Sequence, residues 1–213
     1  MKKLAVFTFI LSYCIVSCFA SSAIVATPPP SEHQFLSIGY NQDHLLYIQV
    51  KGADLSLNGN ILPAFKVLED KTYPASKGSY QKIVSAGLSA DQAIPYSVTN
   101  HRSDILKESM LETNYLPFDL DFYFDVWTAK FENVIQNTQG LNHITVGPIY
   151  SKEQKMELAL GKSVLPEQYF FVYSFFLENE KQVKAFIINP NETSFTEIKP
   201  ETLQEKAVLP SEL

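Results

Sequence analysis

One stretch constrains the fold more than any other, because Tyr169 to Leu177 is almost wholly aromatic and apolar. An apolar run of this length, without alternating polar residues, is typical of a strand covered on both faces. Val183 to Ile188 follows closely and predicts the neighbouring strand, which Asn189-Pro190-Asn191 would end as a turn. We therefore expect a sheet with packed structure on both sides of at least one central strand.

The rest of the chain offers more strand patterns than helix patterns, and the two do not alternate strictly. This order predicts an α+β class with a central, mainly antiparallel sheet. Strands are predicted at Leu45–Val50, Phe65–Leu68 and His143–Val146, the last broken by Gly147-Pro148. Helices are predicted over Ser103–Glu112, over Asp121–Gln136 with Asp121 as its cap, from the capping box Ser151–Gln154 to Gly161, and over Pro200–Lys206.

Charge and composition limit the function classes. Hydrophobic residues make up 46% of the 213, which is typical of a packed domain. The formal net charge is −6, and removing Lys2 and Lys3 with a leader leaves 15 − 23 = −8. Arg102 is the only arginine, although guanidinium is the side chain best suited to bidentate phosphate contacts. An acidic chain of this kind repels polyanions unless lysines or a metal offset its field locally.

The first twenty residues have the pattern of a secretory signal peptide. Lys2-Lys3 forms a positive n-region, Leu4 to Val16 an apolar h-region, and small residues follow up to Ala20. Both cysteines, Cys14 and Cys18, fall in this leader, so the mature domain is predicted to lack disulfides and cysteine-ligated zinc. We expect an exported protein, secreted or periplasmic, and the short leader is typical of bacteria.

Two ways of processing the leader remain open. Ile15-Val16-Ser17-Cys18 resembles a bacterial lipobox, in which Cys18 would become a lipidated first residue in the cell envelope. The alternative is ordinary cleavage after Ala20. Residues 21–31, with Pro28-Pro29-Pro30, are predicted to be a spacer, and residues 32–213 a single domain. A lipid on Cys18 would be the only contact with a membrane.

Gly87 to Pro95 alone has the composition of a polar loop, Gly-Leu-Ser-Ala-Asp-Gln-Ala-Ile-Pro. Together with Glu112-Thr113-Asn114-Tyr115-Leu116 it resembles the DNA/RNA non-specific endonuclease family, the endonuclease G-like and Serratia nuclease-like proteins. These have a ββα-metal (His-Me finger) fold. Their motif Gly-Tyr-Asp-Arg-Gly-His-Leu-Ala-Pro shares its first glycine and last proline with Gly87 and Pro95, and a Glu-Thr-Phe-Tyr-Leu type sequence follows it.

The resemblance continues to the C-terminus and covers roughly residues 65 to 213. Trp127 and, displaced by one place, Glu132 resemble the tryptophan and glutamate of the family's next helix. Later similarities are Val146-Gly147-Pro148 to a Thr-Gly-Pro turn, Leu165 to Val172 to a Val-Pro-x-x-Phe-Phe-Lys-Val strand, and Pro190-Asn191 to a Pro-Asn turn. Their order and spacing together, rather than any one piece, imply the ββα-metal nuclease fold.

The departures from the family's pattern fall on its chemistry. Gln92 occupies the place of the histidine that acts as general base, and an amide has no useful proton affinity near neutral pH. Tyr123, or Phe124, occupies the place of the asparagine that binds Mg²⁺, and neither is an ordinary oxygen ligand for a hard cation. Ala90 replaces the motif arginine. The loss of base, metal ligand and phosphate clamp together predicts a degenerate site.

Other residues could in principle take over these roles. His101 and Arg102 could form a replacement base and nucleic-acid clamp, although neighbouring residues in a turn usually face water. Asp121 and Asp125, four residues apart on a helix, could hold Mg²⁺, with Glu132 acting through metal-bound water. The simpler interpretation is that Asp121 caps the helix while Asp125 and Glu132 are exposed.

Three hypotheses follow. The first is an exported pseudoenzyme with the nuclease fold that binds a protein, a nucleic acid or a component of the cell envelope. The second is an active Mg²⁺-dependent endonuclease with a rewired site. The third is an envelope lipoprotein whose domain is only a scaffold.

Overall fold

The computed structural model describes residues 33–40, 44–61 and 66–210. The predicted leader, Cys18 and the spacer lie outside these ranges. No helix in the described part of the chain is both long and apolar enough to span a membrane.

Eight strands and six α-helices make up the described fold. The strands are β1 (Leu36–Tyr40), β2 (Leu45–Lys51), β3 (Ser89–Gln92), β4 (Tyr115–Phe118), β5 (Leu141–Ile149), β6 (Gln168–Leu177), β7 (Glu180–Ile188) and β8 (Thr196–Ile198). The helices are α1 (Ser79–Ser85), α2 (Ser103–Ser109), α3 (Leu120–Phe122), α4 (Ala129–Asn137), α5 (Lys152–Ala159) and α6 (Pro200–Gln204). A π-helical segment, Tyr123–Thr128, joins α3 to α4 without a break. Short 3₁₀ turns occur at Gly52–Asp54, Pro74–Ser76, Tyr96–Val98 and Glu112–Asn114.

Six of the strands form one antiparallel sheet in the order β1-β2-β5-β6-β7-β8, and β3 pairs with β4 in a separate two-stranded sheet. The predicted α+β class and mainly antiparallel sheet are confirmed. The aromatic run forms β6, which lies inside the sheet between β5 and β7.

Strand β6 is buried on both faces over its first half, as the sequence predicts. Because side chains alternate along a strand, Tyr169 and Phe171 point into one apolar core while Phe170 and Val172 point into a second. The first core contains Phe122, Trp127 and Phe131 of the continuous helical segment 120–137, and the second contains Leu203 of α6. The strand therefore supports both layers.

Trp127 connects the segment that resembles the nuclease motif to the main sheet. Its ring is fully buried and packs on Tyr169 and Phe171, with centroids 5.4 and 6.2 Å away. Its Nε1 donates a hydrogen bond to the carbonyl oxygen of Ala93, 3.0 Å away. A second link is the Tyr169 hydroxyl, which donates to the carbonyl oxygen of Pro117 in β4. The position of β3 and β4 is thus determined by aromatic side chains from distant elements.

Several local predictions are confirmed at the level of hydrogen bonds. Ser151 and Gln154 form the predicted capping box, with both reciprocal bonds present at 3.2 and 3.0 Å. Gly161 follows α5 at a φ of +78°, a left-handed conformation that glycine adopts without strain. Pro200 lies in the first turn of α6, where its missing N–H costs nothing.

The predicted break at Gly147-Pro148 is wrong, because β5 runs through both residues to Ile149. Glycine is needed there for close approach: a Cβ on Gly147 would lie 2.4 Å from the carbonyl oxygen of Leu46 and 2.8 Å from the Phe170 ring. The sequence pattern does not distinguish a glycine required by close packing between strands from a glycine required by a turn.

Two further predictions differ from the structure. Helix α3 is capped by Asp119, whose side chain accepts from the Phe122 N–H at 3.1 Å, and Asp121 lies two residues later with its side chain exposed. Asp119 and Asp121 give the same capping pattern in the sequence, and only the residue at which the helix begins decides which of them is the cap.

Of the predicted strand Phe65–Leu68, Phe65 lies outside the described residues, and Leu68 makes only an isolated bridge to Leu111.

Candidate functional site

The residues that resemble the nuclease motif form a compact unit, Ser89–Asn137, which we call the finger. Its first strand, β3, is not a loop but pairs antiparallel with β4, so that Gln92 lies opposite Tyr115 and Asp91 opposite Leu116. A 22-residue excursion, 93–114, connects the strands, and the helical segment 120–137 follows β4 directly. The order of elements is strand, strand, helix.

Gln92 lies at the end of β3 with its side chain 7% exposed. Its Nε2 donates a hydrogen bond of 2.8 Å to the carbonyl oxygen of Ser109. Asn114 donates to the same oxygen at 2.6 Å, and its Oδ1 accepts from the Ile94 N–H at 3.0 Å. A side-chain amide neither accepts nor releases a proton near neutral pH. Gln92 therefore holds the excursion against β3 and cannot act as a general base.

The neighbourhood of Gln92 is phenolic rather than ionic. Burial, helped by the nearby Tyr80, raises the pKa of the Tyr115 hydroxyl to about 12, although a hydrogen bond with Gln92 opposes the shift. Burial also raises the pKa of Tyr123 strongly, and the Asp91 carboxylate adds to that shift. Both phenols are therefore neutral at physiological pH and cannot act as bases.

Asp91 is the carboxyl group nearest to this cluster along β3. Burial raises its pKa, and the Ser89 hydroxyl, which donates to Asp91 Oδ2 at 2.5 Å, works in the opposite direction. The group is half-buried beside tyrosines rather than beside other carboxylates.

The residues at the family's metal position do not fit a magnesium ion. Tyr123 is buried and its ring packs on Phe118 at 5.2 Å, while Phe124 carries no oxygen at all. Mg²⁺ needs carboxylate, carbonyl or amide oxygens in near-octahedral geometry. Among the described residues, no group of three or more His, Cys, Asp or Glu side chains could hold a metal ion. Asp121 and Asp125 are both exposed on the finger helix.

The His101–Arg102 pair is not arranged as a base and a clamp. Arg102 is bound by carboxylates, at 2.7 Å from Asp104 and 3.4 Å from Asp54, and lies over the Phe35 ring at 4.8 Å. His101 is half-buried, and within the part of the chain that the structure describes no carboxylate oxygen lies within 4.0 Å of its ring and no hydrogen-bond partner reaches its Nδ1. The guanidinium is therefore held by two carboxylates and an aromatic ring.

Glu132 lies on the exposed side of α4, next to the buried Phe131. Within the described part of the chain, no ion pair or hydrogen bond involves its carboxylate. The structure therefore places Gln92, Tyr115, Tyr123 and Asp91 together, and leaves Glu132 on the solvent side of the helix.

Sequence reasoning missed the partners that immobilise Gln92. Asn114 stands inside the Glu-Thr-Asn-Tyr-Leu motif, where the family has an aromatic residue, and this polar substitution was the available signal. Ser109 offered no signal, because Gln92 contacts its backbone carbonyl rather than its side chain.

Comparisons with known proteins bear on the fold. No known family profile matches the chain, and no curated protein matches it in sequence. A chain in the crystal structure of the EndoG/EndoGI complex, which concerns the mechanism of EndoG inhibition, is similar in structure, with a TM-score of 0.63 and 14% sequence identity. The match covers 85% of this chain and 86% of that chain. The protein therefore has an α+β, EndoG-like fold, consistent with a ββα-metal nuclease-like domain.

Proposed function

We propose that the protein is an exported pseudoenzyme with a nuclease-like fold, which acts by binding a partner and not by hydrolysing phosphodiester bonds. The observation that carries the proposal is the buried amide of Gln92, hydrogen-bonded to the Ser109 carbonyl at the place where the resembled family has its catalytic base. Hydrolysis of a phosphodiester needs a group that removes a proton from water. Gln92 cannot do so.

A second support is that the other catalytic roles are lost from the same finger. Tyr123 offers a neutral, buried phenol at the metal position, and Ala90 has no charge to bind phosphate. Restoring catalysis would need at least three substitutions, because a base without a metal or a clamp stabilises little of the transition state. Simultaneous loss of this kind favours a scaffold retained for binding.

The test is a degradation assay with supercoiled plasmid and single-stranded RNA, in Mg²⁺ or Mn²⁺, beside a His101→Ala variant. We expect no cleavage by either protein above a buffer control. Cleavage by the natural protein that His101→Ala loses would overturn the proposal in favour of the rewired Mg²⁺-dependent endonuclease. The same would follow if Asp121→Asn or Asp125→Asn abolished a metal-dependent cleavage.

Export is part of the proposal and is supported by the pattern of residues 1–20. Metabolic labelling with palmitate distinguishes the two forms of processing. Labelling that Cys18→Ser abolishes would support an envelope lipoprotein, whereas an unlabelled protein that begins after Ala20 would support ordinary secretion. A full-length protein retained in the cytoplasm would contradict export.

A further inference from the structure

The exposed side of the finger helix carries two large apolar side chains. Leu120 is 52% exposed and Phe124 is 55% exposed. Residues four apart on a helix are neighbours, with Cβ atoms roughly 5–6 Å from each other. The Phe124 ring also makes an edge contact with the ring of the buried Tyr123, with the centroids 5.2 Å apart. Leu120 and Phe124 therefore form one exposed apolar face.

Two carboxylates flank this face. Asp121 and Asp125 are exposed, and no lysine, arginine or histidine nitrogen of the described residues lies within 4.0 Å of either. By contrast, Asp119 accepts the Phe122 N–H and serves the helix itself. The charges of Asp121 and Asp125 are therefore uncompensated at the protein surface.

The whole finger is acidic. It contains eight Asp and Glu residues and three Lys and Arg residues, so its formal charge is 3 − 8 = −5, against −6 for the complete chain. Two of its three cations are occupied: Arg102 by Asp104 and Asp54, and Lys130 by the Phe186 ring at 3.5 Å. A polyanion is repelled by such a surface, whereas a cationic segment is attracted to it.

The backbone at this face is also unusual. Phe124 and Asp125 lie in the π-helical segment Tyr123–Thr128, and π-helical turns occur frequently at functional sites because they reposition side chains at a cost in hydrogen-bond geometry. In this segment Tyr123 is buried while Phe124 is exposed. The segment presents an aromatic anchor next to two free carboxylates.

We propose that this face, which comprises Leu120, Asp121, Phe124 and Asp125 and is called the docking face below, binds a basic segment of a protein partner. Lysine or arginine side chains of the partner pair with Asp121 and Asp125, and an apolar side chain between them packs on Leu120 and Phe124. Aromatic anchors surrounded by polar groups are typical of residues that dominate interface energy. The inference rests on the proposed binding function and names its class of partner.

The experiment measures binding of a fluorescein-labelled 12-residue peptide of alternating lysine and leucine to the mature protein, by fluorescence anisotropy. A lysine–serine peptide and a glutamate–leucine peptide test the apolar and the charged requirement separately. We expect the lysine–leucine peptide to bind most tightly. Phe124→Ala and the pair Asp121→Asn with Asp125→Asn should each raise Kd about tenfold, and 0.5 M NaCl should weaken binding by screening the carboxylates.

The β6–β7 hairpin offers a matched control, because its tip carries exposed Phe176 and Leu177 beside Glu178 and Glu180. Phe176→Ala and the pair Glu178→Gln with Glu180→Gln should leave Kd unchanged. Equal losses at the hairpin and at the docking face would overturn the inference, since binding would then be unspecific. So would equal affinity for the lysine–serine and lysine–leucine peptides.

Two outcomes separate this inference from the proposed function. Binding of a 20-nucleotide single strand that Phe124→Ala abolishes, without cleavage, would overturn the basic-protein partner while leaving the pseudoenzyme intact. Cleavage of the strand in Mg²⁺ would overturn the pseudoenzyme itself.

Discussion

Gln92 and Ser109 are joined by a buried hydrogen bond in which the glutamine Nε2 donates to the serine carbonyl oxygen at 2.8 Å. The bond spans 17 residues and holds the excursion of the finger against its first strand. A residue at the expected position of a catalytic base thus has a structural partner. The hydrogen bond satisfies the buried amide of Gln92 within the fold.

Gln92→His introduces a base but should not produce cleavage. The neighbouring Tyr123 still offers no ligand for Mg²⁺, so water near the new histidine would remain unactivated. Plasmid degradation in Mg²⁺ should stay at the level of the natural protein. The double variant with Tyr123→Asn should also stay at that level, because Ala90 still provides no charge to bind phosphate. Cleavage by Gln92→His alone would contradict this account, because a metal site would then have to exist already.

Asp70→Asn should destabilise the domain by about 1–3 kcal/mol, because the buried His33 and Thr113 then lose their hydrogen bonds to a carboxylate. Asp70 is 1% exposed, lies 3.0 Å from His33 Nε2, and accepts a hydrogen bond of 2.6 Å from Thr113. Urea unfolding gives the difference. Glu69→Gln is the control, since the Glu69–Lys77 pair is exposed and such pairs contribute about 0–1 kcal/mol. Equal changes in the free energy of unfolding for Asp70→Asn and Glu69→Gln would refute the stabilising role of the buried Asp70 carboxylate.

The Asp70 carboxylate should also make the free energy of unfolding depend on pH in the acid range. Burial opposes the ionisation of Asp70, but hydrogen bonds from His33 and Thr113 and the charge of His33 outweigh it, so the folded-state pKa lies below the ordinary value of 3.8. A depressed carboxyl pKa stabilises the folded state fully above the unfolded value, and this contribution is lost as the pH falls through the folded pKa. The free energy of unfolding should therefore decrease below about pH 4, and Asp70→Asn should flatten that decrease. An equally steep decrease of the free energy of unfolding with falling pH in the Asp70→Asn variant would contradict the prediction.

Glu108→Ala should loosen the start of the described domain. The Glu108 carboxylate accepts three consecutive backbone N–H groups, from Gln34, Phe35 and Leu36, at 2.7, 2.9 and 3.0 Å. Hydrogen exchange at these amides should accelerate, since local opening no longer breaks charge-assisted bonds. Glu132→Ala, which removes an exposed carboxylate elsewhere, should leave their exchange unchanged. Protected amides in Glu108→Ala would show that strand pairing alone holds the segment.

Trp127→Phe should lower the free energy of unfolding by about 1–2 kcal/mol, from the lost hydrogen bond to the Ala93 carbonyl and the space left by a smaller ring. Because Trp127 is the only tryptophan in the chain, unfolding of the variant should be followed by circular dichroism. Phe124→Leu is the control: its side chain is exposed, and the change should stay within about 0.5 kcal/mol. If Phe124→Leu lowered the free energy of unfolding as much as Trp127→Phe, the exposed position of Phe124 and the buried position of Trp127 would be contradicted.

Features that depend on neighbouring residues in the chain could be predicted well. The apolar run of β6, the Ser151 capping box and the proline in the first turn of α6 are each determined by propensity, hydrophobicity or a bond within three residues. The capping residue of the finger helix could not be assigned, because Asp119 and Asp121 differ only in where the backbone turns.

Gly147 and Gln92 show where local patterns fail. Gly147, followed by Pro148, has the sequence pattern of a turn. In the structure, its missing side chain leaves room for the Leu46 carbonyl and the Phe170 ring of neighbouring strands. The sequence alone predicted that Gln92 cannot act as a general base, because a side-chain amide takes up no proton near neutral pH. Its hydrogen bond to Ser109, the phenols beside it and the exposed position of Phe124 were decided only by the tertiary structure, since each depends on segments that are distant in sequence and meet only in the packed chain.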